Sequence, residues 1–333
     1  MSQNLDKKKK RKVKAKAARK KKPTTREPKV QSEQDFPDLP SPFSMERTLR
    51  QLGSAVTDRE FESEKEMQAF LDDFNQNDTE FSEEASWAVT PEDQAQELIY
   101  QVWEADDPEE VVSLVTRALE LDPLCVDALM ILAEMTAQSK EERISFLELI
   151  VKAGQHKLGE EYFEEHRGYF WGMIETRPYM RARFSLAEEL REAERLEEAI
   201  AHYKAMLELN PNDNQGVRDI LIGCYLMVGD LAGARWLLKE YEQDGGAVFN
   251  WSRVLERYLA KDTAGALAAL ETAREQNQFV EDYLTRKKRL PAKLPDYYSL
   301  GDKTEAIFCV SVIDLSWRRH RGAVKWLKDQ KQA

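Results

Sequence analysis

Residues 181–211 read RARFSLAEELREAERLEEAIAHYKAMLELNP, and this stretch decides the fold. Its apolar residues recur every three or four positions, which predicts two amphipathic helices in succession. The closing phrase MLELNP at 206–211 has a counterpart in ALELDP at 118–123. In both phrases the proline stops a helix and sets a turn. A phrase that recurs along the chain indicates an internal helical repeat.

The spacing within this stretch resembles the tetratricopeptide repeat (TPR) unit. Its inner, crossing and aromatic positions are occupied by Leu186, Ala187, Leu190, Ala199 and Tyr203. Small residues where helices cross, with large ones between them, are what close helix packing requires. One such helix pair cannot bury its apolar face alone, so we expect several pairs to stack.

Further units are predicted on both sides, which gives about five in all. Upstream, one unit spans 94–123 with Ala118 at its crossing, and a more degenerate one spans 126–154 and includes Ala153. Downstream, the crossing residues of two units are Ala234 and Ala266. The resemblance to the repeat covers about residues 92–275. The alternative is an ordinary α-helical bundle with accidental spacing.

The chain is therefore expected to be all-α, a TPR-like helical solenoid with a basic arm before it and helices that cap its end. The predicted parts are a disordered basic arm and linker (1–42), short amphipathic helices (43–72), an acidic linker (73–90), the solenoid (91–278) with an insert (156–178), and a C-terminal crossover with capping helices (279–333). A terminal helix is expected to seal the exposed end of the solenoid.

Charge is distributed unevenly along the 333 residues. The net charge is -12, yet residues 1–30 hold fourteen Lys or Arg and two acids. The run KKKKRKV at 7–13 looks like a nuclear localisation signal, and a flexible polycation also binds RNA, DNA or other polyanions through counterion release. The third interpretation is a solubilising tail. The candidate polyanion-binding residues are Lys7, Lys8, Lys9, Lys10, Arg11 and Lys12.

The insert at 156–178 contains five aromatic residues, which argues against disorder. It is either an extra helix packed on the repeats or a binding lip rich in aromatic and arginine anchors. The polar turn at 210–216 either caps helix ends or adds a contact site beside the arginines. The candidate partner-binding residues are Tyr169, Trp171, Arg177, Tyr179, Arg181, Arg183 and Asn214.

No motif for catalysis is present, and no cofactor or metal site is expected. The residues in the predicted groove do not form the Lys/Asn clamp with which some TPR proteins hold a chaperone's terminal carboxylate. Cys125, Cys224 and Cys309 are odd in number and far apart, so we expect buried thiols in a reducing compartment. No stretch approaches the ~20 apolar residues that span a bilayer. The expected location is the cytoplasm, or the nucleus in a eukaryotic cell.

Several stretches resemble a bacterial group related to the suppressor-of-tumorigenicity-seven family. They are DALMILAEMTAQSKEE (127–142), HRGYFWGMIETRPYMRARFSLAEEL (166–190), LNPNDNQGVRDILI (209–222), KRLPAKLPDYYSLGDKTEA (288–306) and GAVKWL (322–327). The similarity covers about residues 93–328. The resemblance implies a helical scaffold without catalytic residues, and the Lys-rich arm departs from it.

These observations predict a non-enzymatic scaffold that holds a protein partner on the concave surface of the repeat and the aromatic insert. The alternative is a nucleic-acid-associated or ribosome-associated factor, recruited by the basic arm.

Overall fold

The computed structural model of the chain describes residues 42–57, 59, 61–76 and 90–330. These residues form sixteen α-helices and no β-strand, which confirms the all-α prediction for this part of the chain. The predicted basic arm with Lys7–Lys12, and residues 77–89 of the acidic linker, lie outside the described residues. None of the described helices is both long enough and apolar enough to cross a bilayer.

The helices are α1 (Pro42–Thr57), α2 (Glu64–Gln76), α3 (Pro91–Val102), α4 (Pro108–Leu121), α5 (Val126–Thr136), α6 (Lys140–Leu158), α7 (Glu160–Glu165), α8 (Arg177–Glu192), α9 (Leu196–Leu209), α10 (Val217–Val228), α11 (Leu231–Glu240), α12 (Ala247–Leu259), α13 (Thr263–Gln276), α14 (Val280–Leu284), α15 (Lys303–Arg319) and α16 (Arg321–Asp329). Two 3-10 turns, Phe170–Gly172 and Ile174–Thr176, precede α8.

Short polar side chains define where many helices begin. Thr90 accepts a hydrogen bond from the Asp93 backbone N–H at 3.1 Å, and the Asp93 carboxylate reaches back to the Thr90 backbone. Asp107, Ser139, Asp230 and Asp262 cap α4, α6, α11 and α13 in a related way. Such caps satisfy backbone donors that the first helical turn leaves free.

Consecutive helices pack as five pairs: α3 with α4, α5 with α6, α8 with α9, α10 with α11, and α12 with α13. Each pair also contacts the next, so one apolar core extends from Val126 to Leu327. A smaller cluster lies within the first pair and the start of α5. The predicted crossing residues Ala118, Ala199, Ala234 and Ala266 are all buried.

The second pair differs from the prediction, because its buried small residue is Gly154 while Ala153 is half-buried. A Cβ atom on Gly154 would lie 3.1 Å from Tyr179 Cδ2 and 3.2 Å from Val126 Cγ2. Glycine is needed here because α6 packs closely against α8.

The predicted insert folds against the repeat as short helical turns. Residues 156–158 complete α6, the middle of the insert forms α7 and the two 3-10 turns, and residues 177–178 begin α8. Phe170 is fully buried, with its ring 4.8 Å from that of Phe163 and 6.3 Å from that of Tyr179. Much of the aromatic content therefore belongs to the core.

The C-terminal region is helical, but its main helix lies in a different place from the one expected. α15 packs against α10 and α12, the first helices of the fourth and fifth pairs, and also against α14. It therefore lies along two pairs and does not only cover the last one. Its apolar face is deeply buried, because Trp317 is packed 6.4 Å from Trp251 between ring centroids.

Candidate protein-binding groove

Helix α1 contacts α3 and α8, the first helices of the first and third pairs. It presents Phe43, Glu46, Arg47 and Arg50, whose spacing of three, four and seven residues places them on one helix face. The surface that they contact, together with Asp127, which pairs there with Arg181, is called the α1 seat. It consists of Asp93, Glu97, Tyr100 and Trp103 from the α3 region, Asp127 from α5, and Arg177 and Arg181 from α8.

Glu46 is the centre of this contact and is only 3% exposed. Arg181 donates to its two carboxylate oxygens, from Nη1 at 2.8 Å and from Nη2 at 3.1 Å. The Tyr100 hydroxyl donates to the same carboxylate at 2.9 Å, and Arg177 Nη1 lies 3.7 Å away. A carboxylate held by two arginines and a phenol is a built recognition site for an acidic side chain.

Arg181 connects this carboxylate to a second one in the body of the protein. It donates to Asp127 from Nε at 3.0 Å and from Nη2 at 2.6 Å. Burial by itself would lower the pKa of Arg181, but the carboxylates of Asp127 and Glu46 outweigh it and raise that pKa. Arg181 is therefore a fixed cation that α3, α5 and α8 hold at the middle of the seat.

An aromatic stack lies at the N-terminal end of α1. The rings of Phe43 and Trp103 are stacked, with centroids 3.4 Å apart. The guanidinium carbon of Arg181 lies 5.4 Å from the Phe43 centroid and 5.6 Å from that of Trp103. Phe43 therefore contributes both apolar contact and a cation–π interaction beside the Glu46 ion pair.

The other two side chains of this face are cations that meet carboxylates on α3. Arg47 pairs with Glu97 and lies 3.3 Å from Glu104. Arg50 donates to the Tyr100 hydroxyl at 3.0 Å and lies 3.9 Å from Asp93. The charges on α1 are therefore complementary to those on the seat, which fixes the position of the helix along the groove.

The groove continues beside α1 as a cavity of about 240 Å³. Phe43 and Arg181 form part of its wall, and the apolar side chains of Met130, Ala133 and Leu147 form another part. A ligand with a larger apolar residue near the Phe43 position would have room to enter it.

The predicted partner residues are distributed over different environments. Tyr179 is only 1% exposed, so its prediction as a surface anchor is wrong: the side chain points into the aromatic core of the insert. Arg181 belongs to the α1 seat, and its cationic group is already bound by Glu46 and Asp127. Arg177 also reaches the seat, while its guanidinium lies 5.2 Å from the ring centroid of Trp171.

The other predicted residues lie away from the seat. Tyr169 is 74% exposed at the surface of the insert, and Asn214 is exposed in the turn between α9 and α10. Arg183 hydrogen-bonds the Tyr179 hydroxyl. Burial, together with the charge of Arg183, lowers the pKa of His202 to about 4. Arg183 therefore supports the third pair and does not contact α1 in the described structure.

The sequence reasoning missed the residues at the centre of the seat, namely Glu46, Tyr100, Trp103 and Asp127. One signal was available, because an aromatic residue, an acid and two arginines share one face of a predicted amphipathic helix at 43–50. Such a face is unusually charged for a helix that docks on an apolar surface. Its ionic complement was not evident because it is divided among three helices.

Potential metal ligands and thiol nucleophiles also occur among the described residues. No group of three or more His, Cys, Asp or Glu side chains there is arranged to hold a metal ion. The three cysteines are buried and free. Burial raises the pKa of Cys125 and of Cys224 to about 12, and that of Cys309 well above its usual value. These thiols are protonated at neutral pH and are poor nucleophiles.

Comparison of the chain with family models, with curated proteins and with solved structures finds no match. The resemblances to the tetratricopeptide repeat and to the suppressor-of-tumorigenicity-seven family stay predictions from the sequence.

Proposed function

We propose that the chain is a non-enzymatic helical-repeat scaffold that binds an α-helical segment of a partner protein in the α1 seat. The observation that carries this proposal is α1 itself, which occupies the seat as an internal ligand through the buried Glu46 carboxylate on Arg181. A groove that accepts one helix through complementary charges has the chemistry to accept another helix with the same pattern.

The five helix pairs support a tetratricopeptide-type arrangement as part of this proposal. In four of them, the small residue expected at the helix crossing is buried. In the second pair, Gly154 provides the same close approach. Under this arrangement the first helices of the pairs line one surface, which is where α1 and α15 are found.

The contact chemistry indicates that α1 is an exchangeable occupant. Its hold depends mainly on ion pairs, whose attraction is largely offset by the desolvation of the charged groups. Much of α1 stays in contact with solvent, and Met45 is 53% exposed. The matching partner helix carries an aromatic residue, an acid three positions later and basic residues four and seven positions later.

A peptide-binding experiment tests this proposal. Glu46→Lys in the full chain places a cation against Arg181 and Arg177, and so expels α1 from the seat. A fluorescein-labelled peptide of residues 42–57 is then titrated, and its anisotropy is measured. We expect binding on the order of 10 µM to the variant, and binding at least ten times weaker to the unaltered chain, where α1 competes.

The matched control is the same peptide with alanine in place of its glutamate. Equal binding of the two peptides, or no binding of either to a variant that circular dichroism shows to be folded, would overturn the proposal.

A further inference from the structure

A second cleft, of about 830 Å³, shares no lining residue with the α1 seat. It lies where the ends of α8 and α10 meet α14, α15 and α16. Six of its lining residues are cations, namely Lys140, Arg191, Arg286, Arg318, Arg319 and Arg321. Only two, Glu192 and Glu194, are acids. This balance is the reverse of the chain as a whole, which has a net charge of -12.

Four of the cations pair with nearby carboxylates. Lys140 pairs with Glu192 at 2.9 Å, and Arg191 pairs with Glu188 at 2.6 Å. Arg286 and Arg318 share the Asp314 carboxylate, at 2.7 Å and 3.0 Å.

Two of the cations, Arg319 and Arg321, form no ion pair within the described part of the chain. They are exposed on either side of His320, which ends α15 by donating to the Leu226 carbonyl at 2.8 Å. Because one face of α15 is buried and α16 follows at once, the backbone that carries these arginines is held firmly. The backbone therefore holds both charges at fixed positions, unlike charges on a flexible tail.

The remaining lining is aliphatic. It consists of Met227, Leu284, Leu315 and Val324, and Leu315 is 45% exposed. No aromatic ring lines this cleft, so the stacking platforms with which proteins bind single-stranded bases are missing from it. Cations beside an aliphatic surface fit carboxylates that flank an aliphatic side chain.

We propose that this cleft binds an acidic peptide segment of a partner protein, in which carboxylates flank an aliphatic residue. The carboxylates pair with Arg319 and Arg321, and the aliphatic side chain packs against Leu315. This site is independent of the α1 seat, so a partner can be held at either site or at both.

The test uses the full chain and a short fluorescein-labelled peptide of glutamates with two leucines. Arg319→Glu together with Arg321→Glu should weaken binding at least tenfold, since two attractive contacts become repulsive. The matched control is Lys325→Glu with Lys328→Glu, which makes the same change of charge at exposed positions of α16 outside the cleft. We expect the control to change affinity less than threefold, and circular dichroism checks that both variants fold.

The basic residues 1–30 are present in every variant, so binding through them alone would leave all affinities equal and would overturn the proposal. A second peptide with serine in place of leucine tests the aliphatic contact, and we expect it to bind several times more weakly. Equal binding of the leucine and serine peptides would contradict the proposed ligand. So would single-stranded RNA that binds more tightly than the peptide and depends on Arg319 and Arg321.

Discussion

Two helices of the chain lie on the first helices of the repeat, and they are held there by different chemistry. At the front, α1 is anchored on α3 and α8, where Glu46 binds Tyr100, Arg181 and Arg177. At the rear, α15 packs on α10 and α12 with Ala306, Cys309, Val310, Ile313 and Trp317, none of which is measurably exposed. The comparison teaches that similar surfaces can be covered mainly by apolar burial or mainly by ion pairs.

The energetic contrast follows from the groups involved. Each large apolar side chain buried at the rear contributes roughly 1.5–3 kcal/mol to stability. The rear helix also approaches closely, because Ser316 Oγ donates to the Gly223 carbonyl at 2.9 Å. At the front, a buried ion pair contributes little net stability, but the removal of one of its two partners is costly. The front therefore depends on having the correct partner charges.

The largest effect should come from breaking the rear contact. Trp317→Ala leaves a cavity beside Trp251, and we expect it to lower the free energy of unfolding by about 3–5 kcal/mol. Urea denaturation followed by circular dichroism measures this change. Trp236→Ala is the matched control because that side chain is 44% exposed, and we expect it to cost less than about 1 kcal/mol. Similar losses for both variants would show that α15 is not part of the core.

A second prediction concerns how the free energy of unfolding depends on pH through Asp219, in the α10 helix that α15 covers. Burial, reinforced by Asp244, raises the pKa of Asp219 to about 7. The folded chain therefore holds a proton on Asp219 that the unfolded chain releases, and stability falls as pH rises from about 4 to about 7. We expect Asp219→Asn to be more stable than the unaltered chain by about 1–2 kcal/mol at pH 8, with a smaller difference at pH 4. Urea denaturation at both pH values measures this.

Glu240→Gln is the matched control, because Glu240 and Asp219 line one cavity near the start of α15. An equal pH dependence in Asp219→Asn and in the control would remove Asp219 as the cause.

The smallest effect on global stability should come from a change in α1. Glu46→Ala removes one of the two carboxylates that pair with Arg181 and leaves Asp127 in place. We expect a cost of less than about 1 kcal/mol in global unfolding, because Asp127 still pairs with Arg181 and α1 contributes little to the core. The local effect should be clear, since amide hydrogens of residues 46–56 should lose protection in hydrogen exchange. Met45→Ala, at a position 53% exposed, should leave that protection unchanged. Loss of global stability comparable to that of Trp317→Ala would place α1 in the core.

The helix pairs could be predicted because their determinants are local. Ala199 and Tyr203 lie at fixed offsets within one helix pair, and both are fully buried. The candidate site could not be predicted, because Glu46 and Arg181 are 135 residues apart. A charged residue on a short amphipathic helix is usually solvated, and its buried role depends on three helices that fold around it. Tyr179 was misassigned for a related reason, since its neighbours in sequence are arginines but its contacts in space are aromatic rings.

Because α1 and its seat belong to one chain, a partner helix has to compete with the high local concentration of α1. A ligand that belongs to the same chain competes at an effective concentration of about 1 mM. A partner helix of equal intrinsic affinity, present at about 10 µM, would occupy only about 1% of the seats. A partner becomes bound when it exceeds α1 in affinity by roughly a hundredfold, when it is locally concentrated, or when it is held at a second site at the same time. The intramolecular helix thus sets a threshold, and weak or incidental helices do not reach it.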